Sequence, residues 1–289
     1  VTGGSVALAT AAEAIGLDDD APVLHAALER RGLRPTLAVW DDEDVDWGGF
    51  DLVVLRSTWD YPRRRDAFLR WAADVAAVTR LLNGPDVVAW SSDKRYLTEL
   101  EAQDVAIVPT TILASGDPLA LPTTAPFVVK PAVSAGSQDT ERFTPDEHPA
   151  ASALVERLHD RGRDVLVQPY VAQVDDRGET ALVYLGGRFS HAIRKGAILA
   201  GETETVGGLF AAEQIDPRTP TDAELAAGEA ALDAVPFDRA DLLYGRVDLL
   251  PGADGAPLVL EVELVEPSLF LRCDDHAADR LAELITRAV

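Results

Sequence analysis

Tyr244-Gly245-Arg246-Val247-Asp248-Leu249-Leu250, the turn Gly252-Ala253-Asp254-Gly255, and then Pro257-Leu258-Val259-Leu260-Glu261-Val262-Glu263-Leu264 form the decisive stretch of this chain. Two apolar runs flank a glycine-bounded turn, which predicts a hairpin of strands Leu243 to Leu250 and Pro257 to Leu264. Strand side chains alternate between faces, so Arg246 and Asp248 share a face of the first strand, and Glu261 and Glu263 also share a face of the second. The aliphatic residues around both glutamates argue that the second strand is buried. Three carboxylates converging inside a protein are costly unless something neutralises them. A hard divalent cation with oxygen ligands does so, and Mg²⁺ shared with phosphate oxygens is the usual case. The competing reading is a surface hairpin whose acids face water.

Outward from the hairpin, the first hundred residues alternate strand and helix signals. Val6 to Ala9, Thr36 to Trp40 and Leu52 to Leu55 read as strands, the last apolar on both faces. Between them, Asp18-Asp19-Asp20 and Pro22 open a helix that Gly32 stops. Phe68, Trp71, Ala72, Val75 and Val78 recur at helical spacing within Arg63 to Leu82. This βαβ order predicts a parallel sheet with crossover helices. The middle of the chain reads as a compact α+β unit. It holds a strand Phe127 to Lys130, a helix Pro149 to Arg161, a strand Val165 to Gln168, and a hairpin turning at Gly186-Gly187. A helix from Asp222 to Ala234 and a last helix from His276 to Ala288 flank the decisive hairpin.

Composition narrows the function classes. The 289 residues carry a formal net charge of −23, against a nucleic-acid partner and against an anionic membrane surface. The single cysteine, Cys273, excludes an internal disulfide framework and lies beside Asp274 and Asp275, which disfavour a thiolate. No apolar run reaches the length of a membrane span, and the start Val1-Thr2-Gly3-Gly4-Ser5 has no signal-peptide pattern, so a cytoplasmic protein is expected. No dinucleotide glycine fingerprint follows the first strand, which disfavours an oxidoreductase, and no nucleophile elbow supports a serine hydrolase.

Other candidate groups are weaker alone. Lys130 ends an apolar strand and leads into the small-residue loop Ser134-Ala135-Gly136-Ser137, which suits either phosphate contact or a plain surface loop. Lys94, after Ser91-Ser92-Asp93, reads as a helix-start lysine, exposed or functional. Arg194-Lys195 is either a phosphate clamp or an edge-strand charge pair. Arg56-Ser57-Thr58-Trp59-Asp60-Tyr61 lies past the carboxyl end of the third strand, where open parallel sheets hold ligands. Trp59 and Tyr61 could equally pack the following helix.

Taken in order, these pieces resemble the ATP-grasp superfamily of carboxylate–amine ligases over nearly the whole chain. The most specific part is Arg246-Val247-Asp248 followed by Leu260-Glu261-Val262-Glu263-Leu264-Val265-Glu266-Pro267-Ser268, with Glu263 where the family commonly has Asn. Within the superfamily, the stretches at 56–61, 93–96, 129–137 and 190–196 are most similar to an actinobacterial family of O-ureido-D-serine cyclo-ligases of D-cycloserine biosynthesis.

The resemblance implies a three-part α/β and α+β architecture. Its parts are a βαβ domain over 1–92, a linker helix and lid over 93–169, and a catalytic domain over 170–289. It implies ATP and Mg²⁺ as cofactors, with Asp248, Glu261 and Glu263 as metal ligands, Arg246 at the transferring phosphoryl group, and Lys195 with Arg194 at the γ-phosphate or the substrate carboxylate. Lys94, Lys130 and Ser137 would meet the nucleotide phosphates, and Gln168, Tyr170 and Val171 the adenine. Glu179 would meet the ribose, with Asp175 and Asp176 as rivals. Arg56, Ser57, Thr58, Trp59 and His191 would bind the substrate.

The implied reaction activates an amino-acid-like carboxylate as an acyl phosphate, which a nitrogen of the same molecule or of a second one attacks. The alternatives are an intermolecular amino-acid or peptide ligase and a non-catalytic ATP-binding regulatory protein. The expected partner is a small carboxylate, with no nucleic acid and no membrane; a homo-oligomer is compatible with the sequence.

Overall fold

The computed structural model describes residues 3–196, 205–206, 209–211 and 214–289. The amino-terminal sheet consists of β1 (Ser5–Thr10), β2 (Arg34–Val39), β3 (Leu52–Ser57) and β4 (Arg80–Leu82), in the order β2-β1-β3-β4, all parallel. Helices α1 (Asp20–Arg30) and α2 (Arg65–Val78) make the crossovers. The helix expected to run to Leu82 stops at Val78, because Thr79 is fully extended and Leu81 turns into the core as part of β4. Every residue of β3 is buried, as its unbroken apolar run implies.

Two short helices follow, α3 (Pro85–Ser91) and α4 (Tyr96–Glu101), with Lys94 in the link between them. The next sheet holds β5 (Thr111–Leu113), β6 (Phe127–Pro131), β7 (Glu141–Phe143) and β8 (Val165–Pro169) in the antiparallel order β5-β8-β6-β7. Helix α5 (His148–His159) covers it through Ala151, Leu154, Val155 and Leu158.

The short helix α6 (Val174–Arg177) leads into β9 (Glu179–Leu185) and β10 (Arg188–Lys195). The two-residue strands β11 (Thr205–Val206) and β12 (Phe210–Ala211) pair with each other. β13 (Ile215–Arg218), α7 (Asp222–Asp233), β14 (Tyr244–Pro251), β15 (Pro257–Glu263) and α8 (Ala277–Ala288) complete the chain. The five-stranded antiparallel sheet runs β13-β10-β9-β14-β15. The hairpin around Gly186-Gly187, read from sequence with the middle unit, therefore belongs to this sheet through β9 against β14.

Three contacts fix the site. Helices α1 and α8 pack together, and Leu24, Leu28, Leu281 and Ile285 share one core with Val183 and Tyr244. Val87, Leu97 and Leu100 of α3 and α4 pack on Leu182, Val247 and Val262 of the five-stranded sheet. The edge strand β15 is capped, since an open edge invites foreign pairing. Its Val262 and Leu264 amides donate to the Tyr96 hydroxyl (2.9 Å) and Ser91 Oγ (3.0 Å), and Val259 exchanges hydrogen bonds with residues 106 and 108.

Candidate active site

A cleft of about 230 Å³ lies between the β5–β8 sheet and the five-stranded sheet. Its floor comes from β14 and β15. Asp248 stands opposite Glu261 and Arg246 opposite Glu263, and the register then shifts so that Val259 faces Leu249. This bulge leaves Leu260 over, so Leu260 as well as Glu261 and Glu263 line the cleft while Val259 is fully buried.

The protein has three lysines, Lys94, Lys130 and Lys195, and all three are buried at this cleft. Every other cationic side chain apart from histidine is arginine. Lys130 Nζ reaches from β6 to Glu261 Oε1 at 2.9 Å, an ion pair from roof to floor. Lys94 Nζ holds the Ser134 carbonyl at 2.7 Å and its hydroxyl at 3.1 Å, and lies 3.7 Å from Glu261 Oε2. Lys195 Nζ sits between Glu179 Oε1 (2.5 Å) and Asp248 Oδ2 (2.7 Å). Arg246 forks onto both oxygens of Asp248 at 2.8 and 2.9 Å and donates to Glu263 Oε1 at 2.5 Å.

These pairs set the charge states. Burial alone would raise Asp248, but Arg246 and Lys195 outweigh it and hold the carboxyl well below the ordinary range. Glu261 is likewise raised by burial, yet Lys130 and Lys94 bring it down to about 2. Glu263 goes the other way, because burial and the neighbouring Asp248 and Glu261 exceed what Arg246 supplies. Glu266 is raised to about 8, by burial first and then by Glu263.

The residues fit a hard divalent cation. Asp248 and Glu261 present carboxylate oxygens across one strand pair, kept ionised by their cationic neighbours. Mg²⁺ takes one or two carboxylates plus phosphate oxygens rather than an all-protein cage. Among the described residues no three such side chains gather into a cage for a metal ion.

The loop 134–137 lines the same cleft, with Gly136 and Ser137 both at φ 59°. Left-handed backbone turns successive N–H groups toward one point, a concavity suited to phosphate. Arg163 fastens the loop's flanks through Asp139 (2.8 Å) and the Val133 carbonyl (2.6 Å). Beyond it the wall becomes aliphatic, with Val108, Val128, Val171, Val174 and Leu250 beside Gln168 and Tyr170, a surface for a flat apolar ring. Gln168 Nε2 is held by Thr110 Oγ1 at 2.9 Å, and Arg142 lies 3.7 Å over the Tyr170 ring. Of the three acids weighed for the ribose, Glu179 lines the cleft; Asp175 accepts from the Tyr170 hydroxyl, and neither it nor Asp176 is at the wall.

Five expected site residues are placed elsewhere. Arg194 alternates with Lys195 and so faces away, donating to the Arg177 and Asp176 carbonyls (2.5 and 2.9 Å). His191 shares the Lys195 face but lies beneath the 267–271 segment, its Nε2 2.8 Å from the Leu269 carbonyl. Arg56 has no exposed surface and is enclosed by Asp20 (3.4 Å), Asp18 (3.9 Å) and the Pro267 carbonyl (3.4 Å). Ser57 bonds Thr10 Oγ1 at 2.8 Å, and Thr58 is fully buried. The 267–271 segment lies over the strand edge that sequence marked as open, so among these residues only Trp59, with Tyr61 beyond it, reaches the cleft.

Sequence reasoning missed Glu266, Tyr96, Ser268 and Phe270. All line the cleft, and Phe270 adopts φ 50° with its ring 5.5 Å from the Arg246 guanidinium. A third acid, three residues after the Glu261-Val262-Glu263 run, was the available signal for Glu266.

Residues 6–83 match the family described as the N-terminal domain of D-cycloserine synthetase DcsG. The cycloserine biosynthesis protein DcsG of Streptomyces lavendulae is 40% identical, with 98% of each chain covered. A crystal structure of D-cycloserine synthetase DcsG superposes with a TM-score of 0.87 at 35% identity, over 98% of this chain and 99% of that one. D-alanyl-alanine synthetase A from Vibrio cholerae, at 17% identity, shares the fold with a TM-score of 0.72 over 100% and 98% of the two chains. The architecture is thus the ATP-grasp fold, and the chain belongs to the DcsG family.

Proposed function

We propose that this protein is an ATP- and Mg²⁺-dependent ligase that activates an amino-acid-like carboxylate as an acyl phosphate and closes it on a nitrogen of the same molecule. The carrying observation is the cleft itself: three lysines and Arg246 gathered around Asp248 and Glu261 in an otherwise strongly acidic chain. Relatives named as D-cycloserine synthetase support the ring-forming version, and O-ureido-D-serine is the substrate proposed.

A carboxylate resists attack because its own charge repels nucleophiles. Transfer of a phosphoryl group to one oxygen turns that oxygen into a leaving group, and the nitrogen then forms the C–N bond as phosphate departs with the electron pair. Mg²⁺ held by Asp248 and Glu261, with Glu263 beside them, would supply charge neutralisation at the transferring phosphoryl. Lys94, Lys130 and the 134–137 loop bind the phosphates; Lys195 and Arg246 stabilise charge on the moving group. The aliphatic wall with Gln168, Tyr170 and Val171 takes the adenine, and Glu179 the ribose. The roof–floor closure through Lys130 and Glu261 excludes water from a hydrolysable intermediate. Holding acid and nitrogen in one bound molecule makes ring closure a proximity effect. The proposed location is the cytoplasm, where ATP is supplied; among the described residues no helix is long and apolar enough to cross a membrane.

The test is ADP release on addition of O-ureido-D-serine, with the cyclic product followed by mass spectrometry. Glu261→Gln keeps an oxygen for Lys130, so the circular dichroism spectrum is retained while turnover falls by about 100-fold or more. Unchanged turnover in that variant refutes the metal assignment. ADP release without a cyclic product, but with incorporation of an added amine, replaces ring closure by intermolecular ligation.

A further inference from the structure

Glu266 is used by none of the steps above, although it is 6% exposed and lines the cleft. Its backbone is engaged, since the Trp59 indole donates to the Glu266 carbonyl at 3.2 Å. Apart from its own backbone amide, its carboxyl group has no hydrogen-bond donor and no ion-pair partner among the described residues. Tyr61 stands beside it, 4% exposed, with a hydroxyl that likewise bonds to no described residue. Glu266 is the strongest electrostatic neighbour of that hydroxyl. Trp59 and Phe270 line the same cleft, with the Phe270 ring 5.5 Å from the Arg246 guanidinium.

A buried carboxyl group with no ion-pair partner resists ionisation, and its carboxylate becomes favourable when a cation fills the space. The rings select among cations. Three aromatic side chains with one carboxylate and one phenol suit an organic ammonium, which gains from both the charge and the ring faces. The neighbourhood also selects the kind of ammonium. The cations whose fields reach Glu266 are Lys94 and Arg246, the groups placed above at the nucleotide phosphates and at the phosphoryl group that moves to the substrate's acid. An α-amino acid carries its ammonium one carbon from its carboxylate, so its two recognition groups must be neighbours.

We infer that Glu266, framed by Trp59, Tyr61 and Phe270, is the seat of the substrate's α-ammonium group and selects α-amino acids over carboxylic acids lacking the amine. This rests on the ligase reading and names the substrate class of the same site. The 266–270 segment then serves both halves of the substrate, because the Ser268 carbonyl holds Arg246 at 3.0 Å while Glu266 takes the ammonium.

The experiment compares O-ureido-D-serine with its des-amino analogue, 3-(ureidooxy)propanoic acid, on the wild type and on Glu266→Gln. Binding is read by calorimetry in the presence of a non-hydrolysable ATP analogue, and turnover by ADP release. The wild type is expected to lose about 100-fold in affinity for the des-amino acid. Glu266→Gln is expected to lose a similar factor for the parent, with no further loss for the analogue and with ATP affinity unchanged within about 3-fold. Glu266→Asp is expected to restore part of the loss. Equal binding of the two acids to the wild type overturns the inference without recourse to any variant, and so does a Glu266→Gln protein that still discriminates between them. Wild-type discrimination in binding with no ADP release from any amino acid leaves the ammonium seat standing and removes the ligase reading instead.

Discussion

Asp20→Asn is the substitution that most sharply tests how the amino-terminal domain supports the cleft. Asp20 is 3% exposed and accepts the amides of Leu271 (2.6 Å, Oδ1) and Leu269 (2.7 Å, Oδ2), with Arg56 at 3.4 Å from Oδ2. Asparagine keeps one accepting oxygen, turns an NH₂ group toward the second amide, and leaves the fully buried Arg56 with Asp18 at 3.9 Å as its remaining carboxylate among the described residues. An unsatisfied buried donor costs about 1–3 kcal/mol, and breaking a buried ion pair from one side costs about 3–5 kcal/mol. The two overlap, so a loss of about 3–5 kcal/mol is expected, a large part of a typical total of roughly 5–15 kcal/mol. The same amides bracket Phe270 and hold its left-handed backbone, a conformation that costs about 1–2 kcal/mol in an L-residue. Once released, the segment relaxes, and the Ser268 carbonyl and Phe270 ring leave Arg246. Turnover is therefore expected to fall by about 10-fold at temperatures where the protein remains folded. Urea denaturation supplies the measurement. With a slope of about 3 kcal/mol/M the midpoint falls by about 1–1.7 M. Asp19→Asn is the control, because that side chain is exposed and, among the described residues, pairs only with Arg272 at 3.6 Å. Equal midpoints for the two variants refute the clamp.

Further outcomes follow from the same geometry. A lysine-selective acylating reagent has three side-chain targets in this protein, and Mg²⁺-ATP is expected to protect all three; labelling of Lys94 and Lys130 at the ligand-free rate would sink the phosphate assignment. Asp248 and Glu261 are held below their ordinary values, so the stability they add is present above pH about 4.5 and is lost as the pH falls toward 2. Lys130→Met should lower the urea midpoint at pH 7 and flatten that acid limb; a parallel pH profile would contradict the pairing. Arg194→Ala is expected to leave kcat within about 3-fold, because its guanidinium serves the 176–177 carbonyls, and a 100-fold loss would return it to the cleft. Gly228→Ala puts a methyl 2.3 Å from the Tyr184 hydroxyl and 2.5 Å from Leu182, which should cost about 1–3 kcal/mol in thermal or urea unfolding.

Local alternation made much of the floor legible. Asp248 with Arg246 and Glu261 with Glu263 could be read as facing pairs because a strand repeats every two residues and a glycine-bounded turn joins the two runs. Lys130 and the 134–137 loop carried a weaker version of the same information. The alternation that separates Arg194 from Lys195 is equally local, but which of them meets the cleft depends on the pairing of β10 with β9 and of β9 with β14.

Sequence by itself therefore determined the element types, the parallel start, the acid-bearing hairpin and the class of chemistry its residues suit. Tertiary structure decided which polar residues are available for that chemistry. Arg56 looked like a ligand-edge arginine and became a buried anchor because Asp20 and the 267–271 segment, more than two hundred residues apart, close over it. Glu266 looked like one more acid in an acidic chain and became a buried carboxyl group at the cleft wall with no ion-pair partner among the described residues. The physical reason is common to both. Periodicity is written along the chain, whereas burial and charge pairing belong to surfaces that meet only when distant segments pack.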